Sequence, residues 1–92
     1  VLMPLTPSRS GRFKKDYMLM KRRGKNMVKM QQIMKTLADE APLEPRHRDH
    51  NLVGPYAGCR ECHVEPDWLL IYTVGDDWIR FERTGTHSDL FE

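Results

Sequence analysis

Apolar residues along this chain recur first at helical and then at strand spacing, with the change falling near residue 57. Over residues 11–23, Phe13, Tyr17 and Met20 return every three or four positions while Lys14, Lys15, Lys21, Arg22 and Arg23 fill the other faces, which predicts an amphipathic helix. Gly24 is placed to stop it, and Asn26 to cap a second helix running to about Asp39. That second helix carries Met27, Met30, Met34 and Leu37 on one stripe, with Ile33 beside it. Methionines at this spacing read as adaptable core filler rather than as metal or haem ligands. Ahead of the helices, residues 2–8 predict a short strand that Pro4 and Pro7 confine to an edge or a bulge.

Residues 40–56 are punctuated by Pro42, Pro45, Gly54 and Pro55 and read as a loop. Strands follow. Residues 57–64 form a strand candidate, and Glu65-Pro66-Asp67 a turn. Residues 68–74 are almost continuously apolar, as expected of a central strand. Gly75-Asp76-Asp77 is a hairpin turn, and residues 78–84 alternate Ile79 and Phe81 against Arg80 and Glu82. The last eight residues are read as a short tail. Two helices followed by a mainly antiparallel meander make an α+β domain. With 92 residues there is room for one core, so residues 1–92 are taken as a single domain.

The net charge of +2 conceals a division. Residues 1–35 hold ten Lys or Arg against one acid, Asp16, whereas residues 36–92 hold five basic residues against twelve acids. The first third therefore suggests a surface that faces a polyanion, while all four histidines lie in the remainder. No apolar run approaches the roughly 18 residues of a membrane span. Val1 to Leu5 is too short and proline-interrupted for a secretory signal. The expected setting is the cytosol, with two free thiols.

Cys59-Arg60-Glu61-Cys62-His63 matches the attachment pattern of c-type haem and half of a zinc site. A haem would need an oxidising compartment, and zinc would need ligands that no second Cys pair supplies. The match is read as coincidence, with Cys62 sharing a strand face with Val64 and buried there.

The second half also offers what RNA cleavage needs. The ribose 2′-hydroxyl attacks phosphorus and the 5′-oxygen leaves, so a base, an acid and a cation are required. Histidine suits either proton transfer. Asp67 suits a base or an orienting carboxylate, and the planar guanidinium of Arg83 suits a phosphate gaining charge. No metal or cofactor is called for. His63 closes one strand, Asp67 and Trp68 open the next, Arg83 ends the last, and His87 follows four residues later. Spacing alone leaves open whether Arg83 and His63 share a face. It also leaves open a salt bridge from Arg83 to Asp76, Asp77 or Glu82, and whether Phe91 plugs the core or stacks on a base. His47 is expected to be an ordinary polar loop residue.

Several stretches together resemble the YafQ branch of the RelE-like mRNA interferases. They are Asp49-His50, His63-Val64-Glu65-Pro66-Asp67-Trp68, Leu70-Ile71-Tyr72, and the run from Arg80 through Arg83-Thr84-Gly85-Thr86-His87 to Phe91. The likeness extends from about residue 43 to 91 and implies a RelE-like fold. It also implies a toxin that enters the ribosomal A site, cuts messenger RNA there, and is neutralised by a DNA-binding antitoxin whose complex represses its own operon. By the same resemblance His87 is the general acid, Arg83 the transition-state cation and Phe91 a base-stacking residue. Trp68 joins it in substrate binding, and His50, His63 and Asp67 share the base and orienting roles. Lys14, Lys15, Lys21, Arg22, Arg23 and Lys25 would contact ribosomal RNA phosphates. Three rival readings are a non-catalytic scaffold of the same fold, a ParE-like gyrase toxin and a small c-type cytochrome.

Overall fold

The computed structural model describes residues 4–91. Chain order is β1 (Thr6–Arg9), α1 (Gly11–Arg22), α2 (Met27–Ala38), β2 (His50–Asn51), β3 (Arg60–Glu65), β4 (Trp68–Val74), β5 (Trp78–Gly85) and α3 (His87–Phe91). Two single 3₁₀ turns, Pro45–His47 and Gly54–Tyr56, interrupt the long loop. The strands form one mixed sheet in the order β1-β5-β4-β3-β2. β1 runs parallel to β5, and the other three pairings are antiparallel.

Local chemistry explains the helix ends. Ser10 Oγ accepts the Phe13 N–H at 3.0 Å, capping α1, and donates to the Glu82 carbonyl at 2.7 Å, tying the cap to β5. Gly24 ends the helix with φ of 81°, a conformation that disfavours any residue with a Cβ. Asn26 occupies the cap position of α2 in extended backbone, but its side chain makes no cap hydrogen bond.

Three expectations need correcting. Residues 2 and 3 of the expected first strand lie outside the described residues, and the strand itself begins at Thr6. The loop contributes an edge strand, β2, because His50 and Asn51 pair with Glu61 and Arg60. The tail is a helix, α3, and the strand placed over residues 57–64 begins only at Arg60.

β4 is the hinge of the packing, since Trp68 to Tyr72 are all buried and alternate between two apolar clusters. On the helix side, Phe13, Met20, Met30, Ile33 and Leu37 pack with Cys62, Val64, Trp68, Leu70, Tyr72, Ile79 and Phe81. On the opposite side Leu69, Ile71 and Leu90 form a small cluster covered by Leu52, Tyr56 and Cys59. None of the helices among the described residues is long and apolar enough to cross a membrane.

Candidate active site

Strand register assembles the site on the face away from the helices. His50 pairs with Glu61, Glu61 with Ile71, and Ile71 with Arg83, so one row crosses four strands. His63 pairs with Leu69, and Leu69 with Gly85, forming the next row. Alternation puts Glu61 and His63 together, but simple alternation would send Arg83 into the core beside Ile79 and Phe81. A β-bulge prevents this. Ile71 pairs with Arg83 while Tyr72 pairs with Phe81, leaving Glu82 as the extra residue. Parity reverses at that point, so Phe81 stays inside and Arg83 emerges on the face that carries Glu61 and His63.

An arc of rings borders this face. Centroids lie 6.4 Å apart for His50 and His63, 5.9 Å for His63 and His87, and 6.3 Å for His87 and Phe91. The Phe91 ring meets Tyr56 edge-on at 5.6 Å. The Tyr56 hydroxyl in turn accepts from Arg83 Nη1 at 3.2 Å. Strand register brings His50, His63, Arg83, His87 and Phe91 to this side of the sheet, and leaves Trp68 out.

Asp67, in the β3–β4 turn, joins the arc to α3. Its Oδ1 accepts the His87 backbone N–H at 2.9 Å and contacts His87 Nδ1 at 2.5 Å. These bonds, the backbone one foremost, hold the Asp67 carboxyl below the usual carboxylate range. A carboxylate on Nδ1 fixes the proton there and leaves Nε2 as the exchangeable position. Arg83 is held from the other side: Nε donates to Asp16 Oδ2 at 2.6 Å and Nη2 to Asp16 Oδ1 at 3.3 Å. The Asp16 hydrogen bond raises the guanidinium pKa further, so Arg83 is charged at any working pH. Its ion pair is therefore with Asp16 of α1, not with Asp76, Asp77 or Glu82.

Sequence reading missed four residues here. Glu61 is buried, with Oε1 3.3 Å from His63 Nε2 and 3.7 Å from His50 Nε2. His47 is also buried rather than a plain loop residue, and its Nδ1 donates to the His63 carbonyl at 2.6 Å. Tyr56 and Asp16 are the others. The available signals were modest: Glu61 sits two residues from His63 on one strand, and Asp16 is the sole acid in a strongly basic stretch.

Trp68 requires a correction. It is fully buried on the helix side, with Nε1 donating to Thr84 Oγ1 at 2.9 Å, so it has no face to offer a base. Phe91 is 46% exposed, and Leu90 takes the plugging role instead. Among the expected phosphate contacts, Lys14, Lys15, Lys21 and Arg22 are exposed. Arg23 and Lys25 are instead engaged internally, with Asp89 and Glu65. Cys62 is buried among the helix-side residues and Cys59 packs on the opposite cluster. The two thiols thus face opposite sides of the sheet, which disposes of the haem-attachment reading on geometry.

Comparison with known proteins points the same way. The family described as "Bacterial toxin of type II toxin-antitoxin system, YafQ" matches residues 5–92. The chain is 47% identical over 83 residues to the mRNA interferase toxin YafQ of Escherichia coli, covering 89% of this chain and 90% of the relative. It is 33% identical over 92 residues to a putative toxin YafQ of Haemophilus influenzae, covering 92% of this chain and 90% of that one. The crystal structure of the E. coli DinJ–YafQ toxin–antitoxin complex matches with a TM-score of 0.90 at 43% identity, covering 98% of this chain and 100% of the matched one. Residue pattern, sheet topology and overall likeness agree: this chain belongs to the YafQ family of bacterial toxins of type II toxin–antitoxin systems.

Proposed function

We propose that this protein is an endoribonuclease that cuts messenger RNA in the ribosomal A site, in the cytoplasm, by acid/base catalysis without metal or cofactor. Support comes first from the Asp67–His87 pair set in an arc with His63, His50 and Phe91. It comes also from the name of the E. coli relative, an mRNA interferase toxin.

In this reading a base removes the 2′-hydroxyl proton as the oxygen bonds to phosphorus. The P–O5′ bond breaks, and His87 Nε2–H gives its proton to the departing 5′-oxygen. Asp67 keeps the second proton on Nδ1, so that the donated one is always at Nε2. Arg83, anchored by Asp16 and Tyr56, stabilises the phosphorane charge. His50 and His63, both facing Glu61, provide the base and its orientation. The exposed Phe91 stacks on a base. The exposed cations Lys14, Lys15, Lys21 and Arg22 of α1 meet ribosomal phosphates.

Because the matched E. coli toxin is seen in complex with DinJ, a cognate antitoxin is the proposed neutralising partner, acting also as operon repressor. In-vitro translation with wild-type and His87→Ala protein, with messenger ends mapped by primer extension with and without ribosomes, tests the reading. Ribosome-dependent cuts that drop about 10²- to 10⁴-fold in the variant are expected. Intact messenger with the wild type leaves the non-catalytic scaffold.

A further inference from the structure

Arg23, just past the end of α1, reaches across to α3. Its Nη1 donates to Asp89 Oδ2 at 2.7 Å and its Nη2 to Asp89 Oδ1 at 3.1 Å. Asp89 is at the same time one half of a reciprocal cap. Its Oδ2 accepts the Thr86 N–H at 2.9 Å, and Thr86 Oγ1 accepts the Asp89 N–H at 3.1 Å. The carboxyl is pushed well below the usual range, with the Arg23 hydrogen bond the largest cause. Nearby, Lys25 and Lys29 donate to Glu65 at 3.2 and 3.3 Å, at the strand end that leads into Asp67. The α1–α2 corner therefore grips both segments whose meeting creates the Asp67–His87 pair.

α3 depends on such attachments. It has five residues, and helices shorter than about 12 residues are marginal alone. It also turns back sharply on β5: a Cβ at Gly85 would lie 2.9 Å from the Asp89 Cβ. Most exposed ion pairs add little, but a bidentate guanidinium–carboxylate pair within a network is the exception. With His87 at the first position of α3 and Phe91 at its last, any shift of this helix moves both.

We propose that the Arg23–Asp89 pair is a positioning device that docks α3, keeping His87 Nδ1 on Asp67 and the Phe91 ring beside Tyr56. Its kinetic consequence rests on the nuclease reading above. Arg23 then sets geometry rather than binding ribosomal phosphate, and neither partner touches the reacting atoms.

The test compares the full chain with Arg23→Gln, Asp89→Asn and the double variant. Asp89→Asn keeps an acceptor for the Thr86 N–H and leaves the Arg23 cation intact. Each single variant is expected to lower kcat for ribosome-programmed cleavage about tenfold, and the double variant no further. KM for ribosomes stays within about twofold. In ¹⁵N-resolved NMR, the His87 Nδ1–H signal of the wild type weakens in all three. Wild-type kcat in Asp89→Asn, together with a raised KM in Arg23→Gln, would overturn the proposal and return Arg23 to phosphate binding. Should the wild type cut nothing, the nuclease reading falls while the NMR arm still decides. Loss of the His87 signal in both single variants upholds the docking role, and its retention refutes it.

Discussion

The two faces of the sheet are built from the same three strands and obey different rules. On the helix side, β3, β4 and β5 present Cys62, Val64, Trp68, Leu70, Tyr72, Ile79 and Phe81, all nearly inaccessible and packed against two amphipathic helices. On the opposite side the apolar content shrinks to Leu69, Ile71 and Leu90, ringed by Glu61, His63, Arg83 and His87. The first face is held by area removed from water, which is non-directional and tolerant of small shifts. The second is held by hydrogen bonds and ion pairs that need particular atoms at particular distances, such as Arg83 on Asp16 and His87 on Asp67. Stability is thus concentrated on one side, and the proposed chemistry on the other.

Truncation of the core is the harshest test of this division. Trp68→Ala should cost about 3–5 kcal/mol in urea unfolding, a large share of the stability of a domain this size. Trp68→Phe, which loses the bond to Thr84 and part of the buried ring, should cost about 1–3 kcal/mol and keep cleavage close to wild type. A large loss of cleavage in a stably folded Trp68→Phe would mean that the inner face takes a direct part in the chemistry.

Removing the anchor of Arg83 should act on both faces more mildly. Asp16 also accepts the Thr84 N–H at 3.2 Å, so Asp16→Ala leaves a mostly covered guanidinium and a backbone donor without their partner. About 1–3 kcal/mol of stability should be lost. Cleavage should fall as well, because Arg83 is then held by Tyr56 alone. Unchanged cleavage would show that Tyr56 suffices to orient it.

Acid should produce the smallest effect, confined to the outer face. The folded pKa of Asp67 lies below its usual 3.8, so the stability it supplies is present above that value and is lost as pH falls through the folded pKa. Asp67→Asn should therefore flatten the decline in unfolding midpoint below about pH 4, where the free carboxylate begins to protonate. Asp89, which Arg23 holds further below the usual range, keeps its own part of the decline in that variant, and a decline as steep as that of the wild type would leave Asp67 without a share in it.

Much of this molecule was open to reading from its residues. Helical spacing identified α1 and α2, a continuous apolar run identified β4 as central, and alternation placed Cys62 and Val64 together in the core. These are consequences of local period and of the cost of exposing apolar surface, and both act within a short window of chain. The family likeness came from linear motifs for the same reason. What lay beyond reach depends on register between distant segments. Glu61 becomes the neighbour of two histidines only once β2 pairs with β3, and Asp16 meets Arg83 across 67 positions. Trp68, adjacent in sequence to Asp67, points the other way.

The placement of Arg83 shows the boundary most clearly. Local alternation was enough to turn Ile79 and Phe81 of β5 inward and to set an arginine near its end. Continued alternation would have buried that charge without a partner. Only the pairing with β4, which skips Glu82, turned Arg83 outward to Asp16 and Tyr56. A bulge is a relation between two strands, settled when burying Phe81 and Thr84 on one face and satisfying Arg83 on the other cannot both be met by a regular ladder.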